Sequence, residues 1–409
     1  MKKLLLLIIS IIVLNAFVIA QNSWTQMSCM YDYGRYEAIS FTINGKAYVG
    51  LGQIPDGTKV YDFWEYDPSA NTWTKKADYP GGGGYAATAF AINGKGYVCL
   101  GANNSGTCKN DLWEYSPGTN TWLQKANFPG AARYGATCFV IGDTAFVGTG
   151  SYGSSSNYMF DMWMYVPSSN SWSQKADFPG NKRSCATAFT IGNFGYLGTG
   201  LSGSLTATSD IWKYDKSNNS WTSIPNLPGL PRAAIISFVI NNKAYLGTGN
   251  NFISSSINNY NDFYAYDPLT NSWGSLISAP NDVRTRRYAT GFSINNIGYL
   301  GTGYTDNGLL PDLWAFNPNS SSGIIEKNSI IDFKLYPNPA TDNITIENTQ
   351  KAVVEISNIE GQIIKNTNTN EKHTTIDISA FPSGVYFVKV IPIAIGTEKG
   401  IEVRKFVKE

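Results

Sequence analysis

Tryptophan recurs along this chain with a period of about 50 residues, and that period limits the possible folds more than any other feature. One set of tryptophans closes an Asn-Ser-Trp or Asn-Thr-Trp triplet: Trp24, Trp73, Trp122, Trp172, Trp221 and Trp273. The other set lies two residues after an aspartate: Trp64, Trp113, Trp163, Trp212 and Trp314, with Tyr264 in the one remaining place. A period of this length, built from short apolar runs, indicates one structural unit copied around an axis. We therefore interpret the tryptophans as packing residues.

Each copy contains four short apolar runs. In the first copy, 35–76, the first run ends at Ile43 and the others lie at 47–52, 62–68 and 71–73. The runs are rich in aromatic and β-branched residues, so they predict strands. The pairs between the first two runs tolerate the positive φ of a two-residue hairpin turn: Asn44-Gly45, Asn93-Gly94, Gly142-Asp143, Gly192-Asn193, Asn241-Asn242 and Asn295-Asn296. Four antiparallel strands in a meander form one blade of a β-propeller.

The copies are out of phase with the ends of the chain, and this predicts how the ring closes. Six first strands carry a phenylalanine at equivalent positions: Phe41, Phe90, Phe139, Phe189, Phe238 and Phe292. The sixth copy ends near Pro318 after three strands, whereas an unmatched fourth strand, 22–24, stands at the start. We therefore expect an all-β, six-bladed propeller over 21–318. Its N-terminal strand would complete the last blade and remove the open sheet edges.

The repeat resembles the Kelch repeat. The matching features are an arginine at the start of the first strand, the Asn-Gly turn, a tyrosine before a glycine pair, the Asp-x-Trp-x-Tyr-Asp-Pro run of 62–68 and the late tryptophan. The resemblance covers 22–318 and implies that the ligand face is the one where the arginines lie. In one departure, the usual glycine doublet becomes Gly-Thr-Gly at 148–150, 198–200, 247–249 and 301–303.

The first twenty residues have the composition of a secretory signal peptide. Lys2 and Lys3 precede an apolar stretch over 4–18, and small residues lead to a cleavage site after Ala20. The alternative is an uncleaved anchor, but about fifteen apolar residues are few for crossing a bilayer. We expect cleavage and no transmembrane segment in the mature chain. At the other end of the propeller, 319–329 is rich in Ser and Asn and is interpreted as a linker.

The segment 330–409 has no tryptophan or cysteine, and its alternating runs predict a small β-sandwich of about seven strands. It resembles the type A sorting domain of the type IX secretion system of Bacteroidetes. The signature residues are Tyr336, Pro337, Asn338, Pro339, Gly384 and Tyr386. The resemblance implies interaction with the type IX secretion machinery, passage through the outer membrane, removal of the domain, and an extracellular or cell-surface protein. The open alternative is an accessory sandwich that binds a ligand itself.

Composition excludes several kinds of site. A net charge of +1 with 15% charged residues leaves no electrostatic footprint for nucleic acid or an anionic membrane. The only histidine, His373, lies outside the propeller, so a His-dependent triad or His-ligated metal site there is excluded. We expect no metal and no cofactor, and a monomer. The five cysteines are Cys29, Cys99, Cys108, Cys138 and Cys185. A disulfide between Cys99 and Cys108 is one possibility, and the pairing of the five stays open.

A ring of arginines is the main candidate for a ligand site. Five copies carry one six residues before the first-strand phenylalanine: Arg35, Arg133, Arg183, Arg232 and Arg286. We expect them around one mouth of the channel, with Tyr36 and Tyr134 as amphipathic neighbours. The alternative is structural: each arginine pairs with acids or carbonyls of the neighbouring blade. Glu37 breaks the repeat, and it is either a general acid or base or the ion-pair partner of a nearby arginine.

Three functions remain open at this point. The first is a secreted or surface-displayed binding module for a protein or glycan, with an acidic peptide or a glycan at the arginine mouth. The second is a carbohydrate-active enzyme, for example a mutarotase acting on sialic acid, which the Kelch resemblance makes a candidate and for which Glu37 would be the catalytic group. The third is a purely structural surface protein. The sequence favours the first because its repeats are regular and lack histidine.

Overall fold

The computed structural model describes residues 23–30, 34–81, 84–153, 157–203, 205–253, 256–280, 282–318, 333–347, 352–359, 362–392 and 402–409. The predicted signal peptide and the linker at 319–329 lie outside these residues. The chain divides into two compact units, Met1–Ser321 and Ser322–Glu409. The described residues form strands and turns, and none of their elements is a helix long and apolar enough to cross a membrane.

The strands of the first unit follow the predicted runs closely. The first strand in the chain, β1 (Ser23–Met27), belongs to the last blade. The first three blades contain the next twelve strands: β2 (Ile39–Ile43), β3 (Lys46–Gly50), β4 (Phe63–Asp67), β5 (Thr72–Lys75), β6 (Thr88–Ile92), β7 (Lys95–Cys99), β8 (Leu112–Ser116), β9 (Thr121–Lys125), β10 (Thr137–Ile141), β11 (Thr144–Gly148), β12 (Met162–Val166) and β13 (Ser171–Lys175).

The later blades add short hairpins in the loops between their second and third strands. The strands there are β14 (Arg183–Ser184), β15 (Thr187–Ile191), β16 (Phe194–Gly198), β17 (Leu201–Ser202), β18 (Thr206–Ala207), β19 (Ile211–Asp215), β20 (Ser220–Ile224), β21 (Ile236–Ile240), β22 (Lys243–Gly247), β23 (Asn250–Ile253), β24 (Ser256–Asn259), β25 (Asp262–Asp267), β26 (Ser272–Trp273), β27 (Ile277–Ser278), β28 (Thr290–Ile294), β29 (Ile297–Gly301), β30 (Tyr304–Thr305), β31 (Gly308–Leu309) and β32 (Leu313–Asn317).

Among the described residues, six antiparallel sheets stand in a closed circle. Their orders are β2-β3-β4-β5, β6-β7-β8-β9, β10-β11-β12-β13, β15-β16-β19-β20, β21-β22-β25-β26 with β27 also on β25, and β28-β29-β32-β1. The first strand of each sheet contacts the first strand of the next, and β28 contacts β2. The predicted all-β propeller is confirmed. Its closure by the N-terminal strand is visible in β1, where Trp24 pairs with Phe316 and Gln26 with Trp314.

A recurring contact, which we call the Asn–Trp clasp, joins neighbouring blades at their outer edges. In blade 2 the Asn120 carboxamide oxygen accepts the Ala77 N–H at 2.9 Å, and Trp122 Nε1 donates to the Ala77 carbonyl at 2.9 Å. The same two bonds recur with Asn71 and Trp73 on Ser28, which follows β1. The clasp therefore also fixes the closing strand. The Asn-Ser-Trp and Asn-Thr-Trp triplets therefore stabilise the ring through oriented hydrogen bonds as well as through burial of apolar area.

The second unit is a two-sheet sandwich. Its strands are β33 (Leu335–Tyr336), β34 (Asn343–Glu347), β35 (Ala352–Asn358), β36 (Ile363–Thr369), β37 (His373–Asp377), β38 (Gly384–Pro392) and β39 (Glu402–Lys408). One sheet has the order β33-β34-β37 and the other β36-β35-β38-β39. They enclose an apolar core that includes Ile344, Val354 and Phe406.

The signature residues of this unit hold its strands together. Asn338 accepts the Val407 N–H at 3.0 Å and donates to the Lys405 carbonyl at 3.1 Å, so it binds the last strand. The Tyr386 hydroxyl donates to the Pro382 carbonyl at 2.8 Å. The pattern therefore specifies local structure in the sandwich.

Candidate functional site

The five repeat arginines do not line the channel mouth as ligand groups, which corrects the expectation from the sequence. Each is at most 1% exposed. Each guanidinium makes two hydrogen bonds to the aspartate before the third strand of its own blade. The pairs are Arg35 with Asp62, Arg133 with Asp161, Arg183 with Asp210, Arg232 with Asp262 and Arg286 with Asp312. The structural alternative is therefore the better one, although the partner lies in the same blade.

The hydrogen bonds of Arg133 show why these arginines are not available to a ligand. Its Nε donates to the Ala131 carbonyl at 2.9 Å, its Nη1 to the Thr149 carbonyl at 3.0 Å, and its Nη2 to Asp161 at 2.8 Å. Asp161 also accepts the Trp163 indole N–H at 2.8 Å. Burial alone would raise the pKa of Asp161, but the hydrogen bond and charge of Arg133 outweigh it and lower the pKa below its usual value.

Blade 2 lacks this arginine and is a natural comparison. Gly84 stands where the other blades have arginine, and the equivalent aspartate is Asp111. Trp113 Nε1 still donates to Asp111 Oδ2 at 2.6 Å. Asp111 Oδ1, however, is buried and has no hydrogen-bond partner among the described residues. One blade therefore tolerates the loss of the arginine at the cost of an unpaired carboxylate oxygen.

A cycle of backbone hydrogen bonds, which we call the collar, closes the ring where the inner strands begin. Its members occupy the same place in each repeat and have positive φ: Glu37, Ala86, Gly135, Cys185, Ala234 and Tyr288. Each N–H donates to the carbonyl of the collar residue in the preceding blade, and Glu37 donates to Tyr288. The six N···O distances are 3.3 Å or less. The cycle holds the collar side chains at this end of the channel.

The residues just before the collar form a second ring, which we call the rim: Tyr36, Tyr85, Tyr134, Ser184, Ala233 and Arg287. The tyrosines of blades 1 to 3 are half-buried, whereas blades 4 and 5 contribute small side chains. The Tyr85 and Tyr134 rings lie 6.2 Å apart at 23° to each other. Tyr36 lies 5.7 Å from Tyr304 and donates its hydroxyl proton to Gln53 at 2.6 Å. One side of the mouth is therefore lined by tyrosines, whereas on the other side Ser184 and Ala233 are buried, with Ala233 packed against Tyr158 and Leu201.

Two cations occupy the mouth instead of the repeat arginines. Lys59 Nζ lies 4.0 Å from the centre of the Tyr85 ring and donates to the Asn103 carbonyl at 2.9 Å. The Arg287 guanidinium lies 4.4 Å from the centre of the Tyr304 ring and donates to Asn259 at 2.8 Å. Neither forms an ion pair with a carboxylate in the described part of the chain. Arg287 directly follows the repeat arginine Arg286 in the sequence, but Lys59 lies in a loop that no repeat position identifies.

Glu37 lies in the collar, and its carboxyl group changes protonation state near neutral pH. Its Oε2 atom is buried without a hydrogen-bond partner in the described residues, so the predicted ion pair with an arginine is not formed. Burial raises the pKa of Glu37 to about 8, against the opposing charge of Lys59. Burial and the charge of Glu37 raise the pKa of the Cys185 thiol to about 12, so this cysteine is not a nucleophile near neutral pH.

The structure forms no disulfide and no metal-binding cluster among the described residues. All five cysteines are free, and Cys99, a candidate for pairing with Cys108, is fully buried in the core between blades. No group of three or more His, Cys, Asp or Glu side chains in the described ranges is placed to hold a metal ion.

Comparisons with known proteins match both units. Residues 80–249 match the family model described as the KLHDC2/KLHL20/DRC7 Kelch-repeats domain, and residues 334–409 match the secretion system C-terminal sorting domain. No curated protein matches the chain. The solved structure of YjhT is similar with a TM-score of 0.60 and 20% identity, covering 69% of this chain and 95% of that chain. At this identity the likeness concerns the fold alone.

Proposed function

This chain combines a Kelch-repeat propeller with a type IX sorting domain, and we propose that the propeller binds a glycan or protein ligand at the rim. The sorting domain indicates export by the type IX machinery to the cell surface or the extracellular space. An N-terminal signal peptide, cleaved after Ala20, would provide the first export step. The proposal concerns what the exported propeller binds there.

The unequal rim is the observation that carries the proposal. The repeat does not fix the rim side chain, because Ser184 and Ala233 stand in two blades where tyrosines stand in three. Half-buried tyrosines offer flat apolar area together with a hydroxyl group, which suits the face of a sugar ring or an aromatic side chain.

The charges of the mouth favour an acidic ligand. Lys59 and Arg287 are the cations near the rim, and Glu37 is mostly protonated at pH 7 because its pKa is about 8. These two cations place positive charge at the mouth near neutral pH, opposed by Asp306, whose carboxylate accepts a hydrogen bond from Asn259 Nδ2 at 2.7 Å. Carboxylates and sulfates are the groups that such a site attracts, and an Arg guanidinium can bind them with two hydrogen bonds. We propose an acidic glycan first and an acidic peptide second.

The test is an array of acidic and neutral glycans and peptides probed with the purified protein. Tyr134→Ala and Lys59→Gln should each weaken binding of a hit about tenfold, a loss of about 1.4 kcal/mol. The matched control is Lys95→Gln, because Lys95 follows the β6–β7 turn and so lies at the opposite end of the channel. If the rim variants bind like the control variant, the ligand does not use this surface.

A carbohydrate-active enzyme such as a sialic-acid mutarotase is the second candidate. The arginine-lined mouth that the sequence suggested for this enzyme is missing. Glu37 supplies one supporting observation, because a carboxyl group with a pKa of about 8 can donate and accept a proton near neutral pH. Anomer exchange of sialic and uronic acids, followed by NMR, separates the two functions. Acceleration that disappears in Glu37→Gln would favour the enzyme, whereas uncatalysed rates would leave binding.

A further inference from the structure

Glu37 carries a cost that the fold does not require. Its Oε2 atom is buried without a hydrogen-bond partner among the described residues. The positive φ of Glu37, 54°, is shared by the other collar residues, so the backbone cycle sets it. Other blades place Ala86, Gly135 or Ala234 at the same collar position, and the cycle continues through them. A buried carboxyl oxygen without a partner, where alanine suffices, is more consistent with a role in function than with a role in the fold.

The ionisable groups around Glu37 are few. Lys59 comes from its own blade and Tyr85 from the next, and Cys185, Tyr288 and Arg287 come from blades 4 and 6. Tyr36, Tyr134 and Tyr304 complete the set. Burial raises the pKa of Tyr36, Tyr85 and Tyr288 above the usual tyrosine value, and that of the Cys185 thiol to about 12. Burial lowers the pKa of Lys59. Loss of the Lys59 proton at high pH would also weaken the binding of an anion, so a Lys59 variant is needed as a control.

We propose that Glu37 is a specificity-determining acid: its carboxyl O–H donates a hydrogen bond to an anionic oxygen of a glycan that Lys59 and Arg287 attract. The inference rests on the proposed acidic-glycan function and adds the requirement for a proton. When Glu37 loses that proton, it can no longer donate the hydrogen bond, and its negative charge repels the negative charge of the ligand. Binding by this mouth therefore depends on pH, and neutral glycans gain nothing from Glu37.

The experiment is a calorimetric titration of the full chain with oligogalacturonate, a carboxylated oligosaccharide, from about pH 6 to about pH 9.5. The wild-type protein should bind most tightly below about pH 8 and lose about tenfold in affinity per unit well above it, as linkage to one proton requires. Glu37→Gln keeps a neutral donor, so it should bind at pH 6 with similar affinity and without that decline. Lys59→Gln should bind more weakly throughout and keep the decline.

Each outcome is decisive. A pH-independent wild-type affinity, or a decline that persists in Glu37→Gln, would overturn the role of Glu37 while leaving the rim as a binding site. A decline that disappears in Lys59→Gln would assign the proton to the lysine and also overturn it. If oligogalacturonate and a sulfated oligosaccharide fail to bind at any pH, the acidic-glycan function itself fails, and the inference with it. Thermal unfolding of each variant checks that the propeller is intact.

Discussion

The pairing of buried arginine with aspartate predicts that two equivalent aspartates differ sharply in importance. Asp161 neutralises Arg133, whereas Asp111 stands in the blade that has Gly84. Asp161→Asn leaves a guanidinium that is 1% exposed and cannot lose its proton. Removing one partner of a buried ion pair costs about 3–5 kcal/mol. Asp111→Asn removes a carboxylate with one unpaired oxygen, so we expect a change of about 1 kcal/mol or less.

The remaining contacts of Arg133 support this magnitude. After the substitution, Arg133 still donates to the Ala131 and Thr149 carbonyls, so two of its hydrogen bonds persist. The amide oxygen of the new asparagine can still accept from Nη1, so the loss is the charge of the carboxylate together with the bond from Nη2 at 2.8 Å. The cost of Asp161→Asn therefore lies at the lower end of the range, about 3 kcal/mol, which is still well above the cost of Asp111→Asn.

Thermal unfolding at neutral pH, followed by tryptophan fluorescence, measures the difference. At about 2–4 °C per kcal/mol, Asp161→Asn should lower the Tm by at least about 6 °C and Asp111→Asn by about 4 °C or less. The lowered pKa of Asp161 adds an acid signature: its stabilisation is present above the unfolded pKa of about 3.9 and is lost as the pH falls through the folded pKa. Equal shifts for the two variants would refute the assignment of the arginines as structural cations.

Two further predictions concern the collar and the clasp. The pKa of Glu37 is raised to about 8, so its contribution to stability is present below the unfolded pKa of about 4.3 and is lost as the pH rises through about 8. Glu37→Gln should therefore melt above the wild type at pH 9, and a wild type that melts equally at pH 6 and pH 9 would contradict this. Asn219 accepts both the Ala176 N–H and the Tyr214 hydroxyl, whereas Asn271 accepts only the Tyr266 hydroxyl, because Pro225 has no N–H. Both asparagines have positive φ, so Asn219→Ala should cost about 1 kcal/mol more than Asn271→Ala in denaturant unfolding, and equal costs would show that the inter-blade bond contributes nothing.

The phase of the repeat predicted most of the fold, because strand patterns and turn residues act locally. Asn44 and Asn93 adopt the positive φ that their hairpin turns need, and the unmatched triplet ending in Trp24 pairs where the sixth blade required a strand. These predictions depend on backbone conformation and periodicity, which neighbouring residues largely determine.

The site was harder to predict because it depends on where side chains point. The repeat identified the arginines, but it did not show that the buried Arg35 side chain pairs with Asp62, 27 residues further along the chain. The aspartate in every copy was a usable signal, since a buried arginine needs an acid. The collar gave no such signal, because its hydrogen bonds join backbone atoms and its six side chains have little chemistry in common.

The collar also has a consequence for how this surface can diversify. A belt of amides that ends where it begins leaves none of its six N–H groups unpaired, in contrast to a helix terminus or the margin of a sheet. Recognition at that depth therefore depends mainly on side chains. Exchanging one such side chain for another alters what is recognised while every bond of the belt survives, so new preferences can arise without rebuilding the scaffold beneath them.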